Sequence, residues 1–207
     1  MKKKILILVG PSAVGKTTFA KFLETRGFKE IISITTRSPR ANEENGISYF
    51  FWDEQEFSQA IQQSRMIEYA EYCGNYYGNE VTLLTSQIEE NHRNGLQSVI
   101  ILELQGAVNL KKWVSENSDT IDFECITAFF YVSADEQKRR LVDRLINDLQ
   151  TKPADQSRRQ IEAFFDRAKN SDSEFEWGGH PTIDLLLSGA EGHEADNYQM
   201  IKSVMEK

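Results

Sequence analysis

Cysteine is scarce in this chain, with only Cys73 and Cys125 among 207 residues. Two thiols make no disulfide framework, so the fold must rest on its core, and a reducing cytoplasm is the expected setting. Both cysteines read as small buried apolar side chains. Histidine is equally sparse. His92, His180 and His193 stand at no metal-ligand spacing, so surface positions are expected for them. Long apolar runs are missing too. Met1-Lys2-Lys3-Lys4 ahead of Ile5 to Val9 imitates a secretory leader, but the apolar stretch is too short and runs straight into a glycine-containing loop. Nothing later approaches the ~20 apolar residues of a membrane span. Positive charge is in deficit: 24 Lys and Arg face 32 Asp and Glu, a net charge of −8. That balance argues against nucleic acid or an anionic membrane as partner, and no obligate protein partner is evident. Any anion this chain binds must be met by a few cations gathered locally.

What is present begins at Gly10. Gly10, Pro11, Ser12, Ala13, Val14, Gly15, Lys16, Thr17 and Thr18 satisfy the phosphate-loop pattern G-x-x-x-x-G-K-S/T. The pattern sits behind the apolar run Ile5 to Val9 and before a helical stretch, as its chemistry requires. Successive backbone N–H groups then face the phosphates of a nucleotide, and the following helix adds its positive dipole end. Lys16 would reach the β- and γ-phosphates, and the Thr17 hydroxyl would bind Mg²⁺. Ala13 occupies a position often taken by glycine.

The length suits one α/β domain with insertions. Short apolar runs at Ile5 to Val9, Val99 to Leu104, Ala128 to Val132 and, more weakly, Ile183 to Leu187 read as buried parallel strands alternating with helices. A last helix is expected from about Ala195 to Lys207. Residues 34–84 differ in character. They hold Pro39, the turn signal Asn45-Gly46 and dense aromatics, which suggests a small antiparallel insertion. Residues 145–160, polar and broken by Pro153, read as a lid. The core is then 1–33, 85–144 and 161–207.

A phosphate loop alone fits motors, GTPases and small-molecule kinases. The aromatic insertion discriminates. Ser33-Ile34-Thr35-Thr36-Arg37-Ser38-Pro39-Arg40, then Gly46 to Phe51, Ile67-Glu68-Tyr69-Ala70, and Gly74-Asn75-Tyr76-Tyr77-Gly78 form an ordered series. Arg37 and Arg40 can present two guanidinium forks to one phosphate, and Tyr49 and Tyr77 add hydroxyl donors and aromatic walls. The series resembles the nucleoside-monophosphate-binding region of guanylate kinases, and Gln105-Gly106-Ala107 resembles the motif after that family's third core strand.

The resemblance implies a P-loop kinase fold: a parallel sheet flanked by helices, a small mixed α/β insertion for the monophosphate, and a helical lid. It implies ATP, Mg²⁺ and GMP or dGMP as ligands. Arg37, Arg40, Tyr49 and Tyr77 would hold the acceptor phosphate, with Ser33 at the guanine carbonyl edge. Glu68 would read guanine, whose N1–H and 2-amino group match the two acceptors of a carboxylate. Asn79 stands where the family has Ser or Thr against the base. Arg140 and Arg144, four apart on one helix face, match arginines that clamp the transferring phosphates.

Three departures follow from the same alignment of motifs. The family's Asp-x-Asp before Gln-Gly reads Ile101 and Glu103 here, so Glu103 alone keeps a carboxylate role. No arginine precedes Ala168 at the lid spacing, leaving Arg158, Arg159 or Arg167 as substitutes. The Asn-Asp bordering the adenine site reads Ser188-Gly189. Two other readings stay open: a guanylate-kinase-like binding module, and a related kinase with another phosphorylated acceptor.

Overall fold

The computed structural model describes residues 3–40, 43–72, 74–151 and 156–206. Its elements run β1 (Lys3–Val9), α1 (Lys16–Glu24), β2 (Phe28–Glu30), β3 (Ile34–Thr35), β4 (Phe50–Phe51), α2 (Glu54–Gln62), β5 (Met66–Tyr72), β6 (Asn75–Glu80) and α3 (Val81–Arg93). There follow β7 (Gln97–Ile101), α4 (Leu104–Glu116), β8 (Phe123–Tyr131), α5 (Ala134–Thr151), α6 (Ser157–Phe175), a 3-10 turn at Glu176–Gly179, β9 (Leu185–Ser188) and α7 (Glu194–Met205).

One sheet has the strand order β2-β7-β1-β8-β9. The β2–β7 and β8–β9 pairs are parallel, with Phe28 opposite Gln97 and Ala128 opposite Leu185. Its strands are apolar in sequence because both faces are covered: Ile5 to Val9, Val99, Ile100 and Ala128 are fully buried. All four expected apolar runs are strands. β7 ends at Ile101, earlier than expected, because Glu103 already takes the N-cap position of α4. The three-residue β2 was too short to show a pattern.

The second sheet has the order β4-β3-β6-β5. β5 and β6 pair antiparallel, as do β3 and β6. The pairing of β3 with β4 departs from the expected antiparallel insertion, since these two strands are parallel, Ile34 opposite Phe50. The Asn45-Gly46 signal does mark a turn, with Gly46 N–H bonded to Tyr49 O at 2.8 Å. That turn does not join two neighbouring strands, so β4 returns beside β3 in the same direction.

The chain divides into two compact units, Met1–Ile7 with Ala20–Ile126, and Leu8–Phe19 with Thr127–Lys207. In the first, one of the dense aromatics is core and half-buried or exposed rings pack around it. Phe57 of α2 is fully buried and stacks on Tyr76 at 5.3 Å, with Tyr69 edge-on at 6.2 Å. Capping starts its helices: Asp53 accepts the Glu56 N–H at 2.7 Å, and Glu80 accepts the Leu83 N–H at 2.8 Å. In the second unit, Phe19 packs on Phe130 at 5.0 Å, and Leu141, Leu187 and Ile201 fill the core.

Within the expected lid, residues 145–151 continue α5 and 157–160 open α6, so these parts are helical, as the resemblance implies. Residues 152–155, including Pro153, lie outside the described residues, as does Cys73. Cys125 is only half-buried, because it lies near the start of β8 where the strand is less covered than at its centre. The three histidines are exposed, as expected. Among the described residues no helix is long and apolar enough to cross a membrane.

Candidate active site

The phosphate loop belongs to the second unit. It leaves the buried end of β1 and enters α1 at Lys16. Gly10 has φ 144°, and a side chain there would overlap the Phe130 carbonyl oxygen, so the loop can lie against β8 only with glycine. Ala13 takes φ 66°, the left-handed conformation that costs an L-residue roughly 1–2 kcal/mol. The Lys16 ammonium donates to Gly10 O at 2.6 Å and Pro11 O at 2.8 Å, which holds it over the loop.

Residues 12–18 line a cavity of about 630 Å³ together with Arg140, Arg144, Ser188, Gly189 and Glu191. That size suits a small-molecule ligand. Arg140 donates to Glu136 at 2.6 Å and to Gly189 O at 3.0 Å, tying α5 to the segment after β9. Hydrogen bonds from Arg139 and then Arg140 bring the Glu136 carboxyl down to about 2. Gly189 replaces an expected polar residue for a steric reason: a side chain there would overlap the Val14 carbonyl oxygen. Ser188 O accepts from the buried Asn197 amide at 2.7 Å.

Among the described residues no group of three or more His, Cys, Asp or Glu side chains could hold a metal ion. Thr17, exposed in the cavity lining, offers one hydroxyl oxygen. That donor set suits a magnesium ion carried in on nucleotide phosphates and waters, and does not suit an all-protein cage.

The expected acceptor residues belong to the first unit. Arg37 is buried, and its backbone N–H is bonded to Thr35 Oγ1 at 3.2 Å. Its two Nη atoms each reach a Glu43 oxygen at 2.9 Å, and Nη1 also donates to Ser38 O at 2.8 Å. Burial pulls the Arg37 pKa down, but the bonds to Glu43 and Tyr77 outweigh it and hold the guanidinium above its ordinary value. Tyr49 and Tyr77 meet edge-on at 6.0 Å, and Arg37 Cζ lies 5.6 Å from the Tyr49 ring. Burial pushes the Tyr49 hydroxyl up. Arg40 is exposed, with its guanidinium 3.6 Å from Glu43.

Glu68 on β5 stands opposite Asn79 on β6, and the Asn79 amide donates to Glu68 Oε1 at 2.6 Å. The other oxygen lies over Gly106, where a Cβ would come within 3.0 Å of it. Burial, reinforced by the negative charge of Glu103 and opposed by the Asn79 bond, pushes the Glu68 carboxyl up to about 7. Glu103 is exposed at the N-cap of α4 and makes no side-chain capping bond. Ser33 lies half-buried just before β3, and its carbonyl accepts the Phe50 N–H at 2.9 Å.

The structure therefore groups Lys16, Thr17, Arg140 and Arg144 about one cavity. It groups Arg37, Arg40, Tyr49 and Tyr77 about another site, and Glu68, Asn79 and Glu103 beside one another. Arg158 pairs with Glu162 at 3.0 Å along α6, and neither it, Arg159 nor Arg167 lines the cavity. Two residues escaped the sequence. Gln137, fully buried, donates to Ser12 O at 2.9 Å, and nothing local announces a contact between residues so far apart. Glu43 lies between two of the quoted motifs, and its charge alone does not reveal which cation it meets.

These features have counterparts elsewhere. The guanylate kinase family model matches residues 2–172. Guanylate kinase of Bacillus subtilis is 40% identical over 110 residues, covering 52% of each chain, and that of Listeria innocua 40% over 116 residues, covering 54% of each. The chain thus spans about half the length of the curated relatives it matches. The crystal structure of guanylate kinase from Anaplasma phagocytophilum aligns with a TM-score of 0.61 at 22% identity, covering 99% of this chain and 85% of that one. It shares the fold, a mixed α/β architecture with a parallel sheet flanked by helices. With a family model spanning most of its length and both sets of motif residues assembled in its two units, the chain belongs to the guanylate kinase family.

Proposed function

We propose that this chain transfers the γ-phosphoryl group of ATP to GMP, and to dGMP, giving ADP and the nucleoside diphosphate. The observation that carries the reading is Glu68, a half-buried carboxylate aligned by Asn79 in the same unit as the Arg37 and Tyr77 cluster. Such a group accepts from guanine N1–H and the 2-amino group together. Adenine would place an acceptor against it and leave a buried charge unpaired, a mismatch worth roughly 10⁴–10⁵ in specificity.

ATP would bind in the second unit, its phosphates on the backbone N–H groups of residues 13–18 and at the N-terminus of α1. Lys16 would release its loop carbonyls and neutralise the β- and γ-phosphates. Arg140 and Arg144 would balance charge as it moves onto the leaving oxygen. Thr17 would hold Mg²⁺, which when bound screens charge between the phosphates. An oxygen of the GMP phosphate attacks the γ-phosphorus as its bond to ADP breaks, so no covalent protein intermediate forms. Ser33 and Glu103 complete the guanine site in this reading. Residues 34–84 serve as the monophosphate-binding insertion of one domain and residues 145–160 as its lid. The few cysteines fit a reducing cytoplasm.

Ile101, apolar where the family carries an acidic side chain, favours one second reading: a binding module without phosphoryl transfer. ADP release with Mg-ATP and each of GMP, dGMP, AMP, CMP and UMP tests both. GMP and dGMP turnover that Lys16→Ala abolishes is the expected result. No turnover with any acceptor would establish the binding module, and turnover without guanine preference would remove the role given to Glu68.

A further inference from the structure

Glu43 is the acid that holds both arginines of the acceptor site. It takes the end-on edge of the Arg37 guanidinium with both oxygens, each at 2.9 Å. Oε2 also accepts the Arg40 backbone N–H at 2.9 Å, while Oε1 lies 3.6 Å from the Arg40 guanidinium. The bond is reciprocated, since the Glu43 N–H donates to Arg40 O at 3.0 Å. Its carboxyl is accordingly held below the usual carboxylate range: burial works to raise it, and the two arginines together overcome that.

We propose that Glu43 is the positioning residue of the acceptor-phosphate site, fixing Arg37 and Arg40 for a phosphate monoester. The inference rests on the reading of this unit as the GMP-binding one. Three points carry it. The Arg37 side chain is only 9% exposed, and a cation so placed needs an anionic partner whether or not substrate is bound. Arg37 has five N–H donors. Glu43 and Ser38 O engage the Nη1 pair and one Nη2 proton, which leaves the side edge, Nε and Nη2, to be shared by Tyr77 and a phosphate. Glu43 is also tied to the Arg40 backbone in both directions, so it is anchored as scaffold, unlike an acid that merely stands in for the phosphate. Two guanidinium charges and one carboxylate leave the cluster at +1, still attractive to a phosphate dianion and less self-repelling than the bare pair.

The test compares GMP and guanosine binding to the full chain, wild type against Glu43→Gln. Guanosine carries the base that Glu68 would read and lacks the phosphate. The expected result is GMP binding weakened about tenfold, with the guanosine inhibition constant against GMP changed less than about twofold. The KM for ATP should likewise stay within about twofold. Glu43→Asp, which retains the charge with a shorter reach, should fall between the two. Unchanged GMP binding overturns the proposal. Tighter GMP binding overturns it by making Glu43 a competitor for the arginines. A parallel loss of guanosine binding overturns it by making the role general to the fold. Wild-type protein that neither binds nor phosphorylates GMP would instead overturn the functional reading itself.

Discussion

Glu68 holds an ionisable group near neutrality inside the candidate guanine site. With its carboxyl raised to about 7, the ionised form that accepts from two guanine donors is lost as pH falls through that value. The sign is fixed by the chemistry: protonation turns one acceptor into a donor, so base recognition weakens on acidification and is complete above about pH 8. GMP affinity should therefore fall roughly tenfold from pH 8 to pH 6. Titration calorimetry across that range, with Glu68→Gln as control, checks it; part of the slope belongs to the GMP phosphate, and only the remainder should vanish in the variant. An unaltered slope would place the titration elsewhere. Ala13 makes a simpler case. Its left-handed backbone strains any side chain, and glycine relieves the strain while adding freedom to the unfolded chain. Ala13→Gly should raise unfolding free energy by about 0.5–1 kcal/mol, read from urea midpoints.

Among the elements, α4 shows how a helix can serve a side chain on another element. Its third residue is Gly106, a poor choice by helix propensity alone. The reason lies across the packing, where Glu68 occupies the space a Cβ would enter. Gly106→Ala should leave thermal stability equal or higher, since alanine gains about 1 kcal/mol in a helix. GMP affinity should fall about tenfold because the displaced carboxylate no longer meets both donors. KM for ATP and the melting temperature are the paired controls; unchanged GMP affinity would show that the carboxylate has room to shift. α5 does comparable work in the other unit, where Gln137 and Arg140 from one helix bind loop and post-β9 carbonyls. The spacing of Arg140 and Arg144 was visible in the sequence. That Arg140 also bonds to Gly189 was not, because the two are far apart along the chain.

At the scale of the molecule, a net charge of −8 coexists with the phosphate sites proposed above. The cations are gathered rather than abundant: Lys16, Arg140 and Arg144 around the cavity of one unit, Arg37 and Arg40 within the other. The sequence alone disclosed the phosphate-loop pattern, four of the five strands of the first sheet and the order of the motifs in residues 33–78. Each depends on neighbours along the chain: a strand-turn-helix junction, an unbroken apolar run, a short polar motif. It misread β4 because a turn signal does not say which strands its flanks will join. It missed Gln137, the contact of Glu68 with Gly106, and the steric need for Gly189. Tertiary structure decided these, for each arises where the fold presses distant backbone and side chains together, and a close approach or a buried hydrogen bond leaves no periodic mark in the residues that make it.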